Sequence, residues 1–170
     1  FHKSRVLYGL HHARQSFREM GAALICEGQL DVIACHRAGM TNAIAPQGTA
    51  FTEEQAGVLK RYADKIIFAF DADAAGCKAA VRSIHIALAN GLKPRIVQMP
   101  EGQDPDGILK DNGKEALKQL LDNHIDPFEY IISLFSANDH NLSNWETQQE
   151  VTEKLIEALS HIADPIARST

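Results

Sequence analysis

Two carboxylates separated by a single residue, Asp71 and Asp73, follow the apolar run IIFAF at 66–70 and precede Gly76 and a segment of helical spacing. On one short turn their oxygens can approach a common hard cation. Mg²⁺ typically takes one or two protein carboxylates and completes its octahedron with water and substrate phosphate. Carboxylates also suit the positive end of a helix dipole, so the pair alone leaves both readings open. Glu27 tilts the balance, because it ends a different apolar run, AALIC at 22–26. Asp104 and Asp106, in EGQDPDGIL, follow a third run at 94–99. A parallel sheet delivers the carboxyl ends of its strands to one edge, where these five carboxylates would crowd and repel one another unless cations lay between them. That arrangement points to a divalent-metal site for phosphate chemistry. Helix roles alone suffice for Asp104 as N-cap and Asp106 in a first turn, with Pro105 between them. Asp31, one turn beyond Glu27, reads as facing solvent.

The elements that must position these groups alternate. Short strand-like runs at 22–26, 42–45, 66–70 and 94–99 are separated by helical patterns, which predicts an α/β, Rossmann-like, mostly parallel sheet of about four strands flanked by helices. In the helix after Glu27, spacing places Leu30, Ile33, Ala34 and Ala38 on one face. Thr52 and Gln55 have the form of a capping box. The helix after Asp73 carries Cys77, Ala80, Val81, Ile84 and Leu88 on an apolar face. Beyond 125 no strand-like run appears. Ser143 and Glu146 form a second potential capping box, and Trp145, Gln148, Thr152, Leu155, Leu159 and Ile162 give a stripe suited to packing on another helix. The expected organisation is a basic lead-in at 1–20, an α/β domain at 21–125 and a helical subdomain at 126–170. Phe1 in place of Met, and a helix start at Asp164 and Pro165 that the chain abandons, suggest a piece of a longer protein.

Composition narrows the chemistry. With 45% hydrophobic and 23% charged residues, the 170-residue chain has the balance of a folded globular protein. Its net charge of −5 gives no general attraction to nucleic acid, so such contacts need local basic groups or bridging cations. Three cysteines without a C-x-x-C pair indicate neither a disulfide framework nor a zinc ribbon. Of the eight histidines, His11 and His12 are adjacent and His85 stands alone in mid-helix, so no zinc is expected. No apolar run reaches membrane-spanning length.

CEGQLDVIA, APQGTA, FAFDADAAG and QDPDGIL, in that order, resemble the Toprim domain, which has a Glu-Gly after its first strand and an Asp-x-Asp after its third. LYGLHHAR, QGTAFTEEQ, DADAAGCKAA and EGQDPD together resemble the catalytic RNA polymerase core of bacterial replicative, DnaG-type DNA primases, from about residue 1 to 135. The tail resembles the small helical subdomain that closes that core. The resemblance implies synthesis of short RNA primers, with Glu27, Asp71 and Asp73 as the principal acidic positions and Asp104 and Asp106 as a second pair. All five would hold Mg²⁺ or Mn²⁺, and Glu27 would be either ligand or base. Lys3 matches a basic position of the template and nucleotide groove, and Gly28 and Gly76 match positions of close backbone approach. Implied partners are single-stranded DNA template, RNA primer and nucleoside triphosphates, with a replicative helicase contacted through a region outside this chain. A bacterial, cytoplasmic, replisome-associated setting without membrane contact follows. Gln29 stands where the family usually has Tyr, and Pro46-Gln47 where it has Ser-Leu. Little primer synthesis is expected of these residues by themselves. Other Toprim enzymes, such as type IA topoisomerases and OLD-type nucleases, share the acidic centre, although Tyr8, Tyr62 and Tyr130 lie in no topoisomerase-like motif.

Overall fold

The computed structural model describes residues 2–48, 50–137 and 144–163. After a short 3₁₀ turn at Lys3–Arg5 the chain forms β1 (Leu7–Tyr8), α1 (Leu10–Met20), β2 (Ala23–Cys26), α2 (Gln29–Arg37), β3 (Ala43–Pro46) and α3 (Glu53–Leu59). It continues with β4 (Lys65–Ala69), α4 (Ala74–Ala89), β5 (Lys93–Val97), α5 (Pro105–Asp122), β6 (His124–Ile125), α6 (Pro127–Ala137) and α7 (Trp145–Ser160).

The strands form one sheet in the order β1-β3-β2-β4-β5-β6. The four inner strands are parallel, and β1 and β6 add antiparallel edges. Sequence reading found the inner four. The edge strands are two residues each, too short for any periodicity to mark them.

Alternation along the strands explains why both sheet faces are covered. In β2, Ala23 and Ile25 join one core and Leu24 and Cys26 the other; in β4, Ile66 and Phe68 oppose Ile67 and Ala69. The first core contains Phe17 of α1, Leu59 of α3 and Ile84 of α4. The second contains Val32 and Cys35 of α2 and Leu117 and Leu121 of α5. Fully buried Phe68 meets Phe51 edge-on, with ring centroids 5.4 Å apart, and Phe70 at the same distance.

Two helix faces differ from the reading by spacing. In α2, Leu30 and Ile33 are exposed, while Asp31, Val32, Ala34 and Cys35 are buried, because α2 must face both the sheet and α5. In α7, Trp145 is 74% exposed and the buried positions are Thr147, Val151 and Ala158. Packing against α6 and α4 selects that face over the longer apolar stripe. Asn144 caps α7 by accepting the Glu146 N–H at 3.1 Å, in place of the expected Ser143, which lies outside the described residues, as do Asp164 and Pro165. The Thr52 and Gln55 capping box forms as expected. Gln55 is also fully buried and donates to the Val6 carbonyl at 3.0 Å, tying the lead-in segment to α3.

These packing assignments predict different costs of truncation. Phe68→Ala is expected to cost about 3–5 kcal/mol, whereas Leu30→Ala stays within about 0.5 kcal/mol of the parent. Urea unfolding of both variants checks the contrast.

Candidate metal-binding active site

The chain runs from β2 outward to β3, then crosses back through α3 to β4 on the other side of β2. In open α/β sheets, a crevice of this kind at the carboxyl ends of the strands is where ligands bind. Cys26 of β2 pairs with Ala69 of β4, so Glu27 and the turn containing Asp71 emerge side by side. Glu27 Oε1 accepts the Asp71 backbone N–H at 3.0 Å.

Asp73 is the N-cap of α4, its Oδ1 accepting the Gly76 N–H at 2.7 Å. Asp104 caps α5 in the same way, accepting the Gly107 N–H at 2.6 Å. Capping engages one oxygen of each carboxylate, so a helix role and a ligand role coexist in the same side chain. Asp71, Asp73 and Asp104 line a cleft of about 150 Å³ together with Ala72, Gly102 and Gln103. Glu27 faces a separate cleft of about 380 Å³, formed with Pro46, Gly48, Phe51 and Phe70 among others.

Gly76 sits where no side chain fits. A Cβ built there would lie 2.1 Å from the Asp71 carbonyl oxygen and 3.0 Å from Glu27 Oε1, so the first turn of α4 nests on the acidic turn only as glycine. A Cβ on Gly28 would meet Asp31 Oδ2 at 3.0 Å. Lys3 is exposed, and a Cβ built on Gly48 would lie 3.9 Å from its ammonium. This places the Lys3 cation beside Gly48, a residue that lines the Glu27 cleft.

Asp106 stands apart from its expected partners. It pairs with Lys110 at 2.5 Å and does not line the Asp71 cleft. The residue that spacing missed is Asp31, which is 8% exposed and not solvent-facing. It accepts the Gly28 N–H at 3.0 Å, and burial raises its carboxyl to about 6, reinforced by Asp104 and Asp71 and opposed by the N–H groups of Gly28 and Asp106. A capping signal at Gly28 with Asp three residues on was available in the sequence; its burial against the acidic rim was not.

Burial also raises Asp71, with the Asp104 and Asp73 charges adding to the effect. Partial burial of the Glu27 carboxyl raises it as well, opposed by the Asp71 N–H and aided by the Asp71 and Asp73 charges. Clustered carboxylates that hold protons this way are relieved by a cation between them. Among the described residues, no three of these carboxylates offer oxygens within 4.8 Å of one another. The rim is thus an open site that fits a cation keeping water or phosphate in its shell, not a closed protein cage.

Residues 24–109 match the Toprim-like family model, and the chain belongs to the Toprim-like family, whose domain implies divalent-cation binding. The relatives are more particular. The chain is 36% identical over 143 residues to a DNA primase of Borreliella burgdorferi, covering 84% of this chain and 27% of the relative. Among solved structures, the zinc-binding and RNA polymerase domains of Aquifex aeolicus primase superpose with a TM-score of 0.85 at 33% identity, covering 99% of this chain and 40% of that one. A DnaG primase catalytic domain bound to single-stranded DNA gives a TM-score of 0.80 at 29% identity, covering 99% and 55%. The chain thus spans about a quarter of the length of the curated relatives it matches.

Two outcomes follow from this geometry. Gly76→Ala is expected to destabilise the chain by about 1–3 kcal/mol, measured by thermal melts in metal-free buffer. For Asp31, the folded chain holds the proton more tightly than the unfolded chain, whose value is near 3.8. Its contribution to stability is therefore largest below that pH and is lost as pH rises through about 6. Asp31→Asn keeps an acceptor for the Gly28 N–H and carries no charge. In metal-free buffer its stability relative to the parent should climb across that window and level off above it, measured by urea unfolding in a pH series.

Proposed function

We propose that this chain is the cation-holding part of the catalytic core of a bacterial replicative DNA primase, acting in the cytoplasm with Mg²⁺ or Mn²⁺. The observation that carries the reading is the convergence of Asp71, Asp73 and Asp104 on one cleft, with Glu27 bonded across to the Asp71 backbone, in a chain that aligns with primase cores over 99% of its residues.

In the reaction, the 3′-hydroxyl oxygen of the growing RNA forms a bond to the α-phosphorus of an incoming nucleoside triphosphate. The bond from that phosphorus to the bridging oxygen breaks, and pyrophosphate leaves with the electron pair. Divalent cations held by these carboxylates would neutralise the triphosphate and the charge that develops on the reacting oxygens. The chain's own residues have distinct parts. Asp71, Asp73 and Asp104 present carboxylate oxygens from two helix N-termini and the turn between β4 and α4. Asp106, the fifth acidic position, in the first turn of α5, is paired with Lys110 and would join the ligand set only by releasing that lysine. Glu27 contributes either a further ligand or the acceptor for the hydroxyl proton, and its place beside Asp71 but in a different cleft suits a part distinct from the Asp set.

Gly28 and Gly76 permit the close packing of α2 and α4 on the rim. Lys3, beside Gly48 at the Glu27 cleft, meets nucleotide or template phosphate as a point charge. A chain of net charge −5 needs such local cations for single-stranded DNA and RNA primer, and the helicase contact is assigned to a region outside these residues. These residues by themselves are expected to synthesise little primer.

In the intact protein, Asp71→Asn and Asp73→Asn should each lower divalent-dependent primer synthesis on single-stranded DNA by about 10²–10³-fold or more, with the far-UV circular dichroism spectrum unchanged. Full synthesis by the folded double variant overturns the proposal.

A further inference from the structure

Away from the acidic rim, α4 and α7 bring together two imidazoles and a carboxylate that the polymerase reading does not use. His85 projects from the fourth turn of α4, and His161 is the C-cap residue of α7. Their rings stack with centroids 4.6 Å apart and planes inclined by 22°. Glu157 lies one helical turn before His161. One ligating atom from each of His85, Glu157 and His161 falls within 4.8 Å of the others, and this is the one such group among the described residues.

A second observation points to a missing partner. His85 Nε2 is buried and makes no hydrogen bond, and buried polar atoms in native proteins are nearly always satisfied by a protein group, water or ion. The site is also reachable. A groove of about 550 Å³ beside it is lined by Lys78, Arg82, His85, Glu150, Lys154 and Glu157.

We propose that His85, Glu157 and His161 bind one zinc-class transition-metal ion that clamps α4 to α7. Two imidazoles and one carboxylate form a donor set suited to Zn²⁺, Co²⁺ or Ni²⁺, with a fourth position left for water, and are a poor match for Mg²⁺. Bonds of about 2.0–2.1 Å to a tetrahedral ion put ligand atoms about 3.3–3.5 Å apart, so on binding the two rings leave their stack and turn their nitrogen lone pairs onto the ion. Glu157 now accepts from Lys154 at 3.0 Å; a cation replaces that counter-charge, and the half-exposed Lys154 side chain turns to solvent. The inference is independent of the primase reading, because none of these residues belongs to the rim. It also gives His85 partners that spacing along one helix does not show, since they come from α7.

The test uses the 170-residue chain without an affinity tag, in excess Mg²⁺ to occupy the acidic rim. Zn²⁺ affinity is read by competition with a chromophoric chelator, and Co²⁺ by its visible spectrum. The expected result is saturable one-to-one binding, tetrahedral Co²⁺ bands without a thiolate charge-transfer band, and a raised thermal midpoint. His85→Gln and His161→Gln should each weaken Zn²⁺ binding at least about tenfold, while Asp71→Asn leaves it unchanged. If His85→Gln perturbs the fold, His161→Gln and Glu157→Gln at the α7 end decide the matter. Absence of saturable Zn²⁺ binding, or equal affinity in the folded His161 and Glu157 variants, overturns the clamp.

Discussion

Everything in the acidic centre depends on the contact between Glu27 and the backbone of Asp71. That bond exists because β2 and β4 are parallel neighbours in register, Cys26 beside Ala69, so the chain leaving one strand meets the chain leaving the other. The contact leaves no room for a side chain on Gly76. A strand pairing, a glycine and a carboxylate are therefore one constraint: α4 approaches the turn closely, and Asp73 is carried to the position where it caps α4 and faces the cleft.

The same constraint shows how structural and chemical roles merge. Asp73 and Asp104 are ordinary N-caps, each accepting an N–H three residues on, and caps of this kind stabilise helices in proteins with no metal at all. What distinguishes them is their company. Asp71, Asp73 and Asp104 share a cleft, while buried Asp31 lies close enough for Asp104 and Asp71 to raise its carboxyl. Mutual repulsion is a standing cost of the metal-free fold, and a divalent ion offsets it. Asp106, neutralised by Lys110, shows what the same residue type does when a lysine lies one turn away.

Misread helix faces have a common origin. Periodicity reports which positions of a helix share a side, not which side meets the protein. In α2 the stripe of Leu30 and Ile33 is as apolar as that of Val32 and Cys35, and burial against the sheet and α5 selects the latter. In α7 the large apolar residue Trp145 is exposed and Thr147 is buried, because the face that meets α6 and α4 carries Thr147, Val151 and Ala158. Asp31 was misread for the same reason, as its burial follows from the face that α2 presents.

The sequence by itself determined the alternation of strands and helices, the four inner strands, the caps at Thr52 and Asp104, and the acidic motifs at strand ends. These follow from local rules of hydrophobic period, turn chemistry and capping that act within a few residues. Tertiary structure alone decided the edge strands, the buried faces of α2 and α7, the burial of Asp31, the separation of Glu27 and Asp106 from the Asp71 cleft, and the meeting of His85 with His161. Each of these depends on which distant segment lies across the gap, and burial, repulsion between charges and ligand geometry are properties of that neighbour as much as of the residue itself.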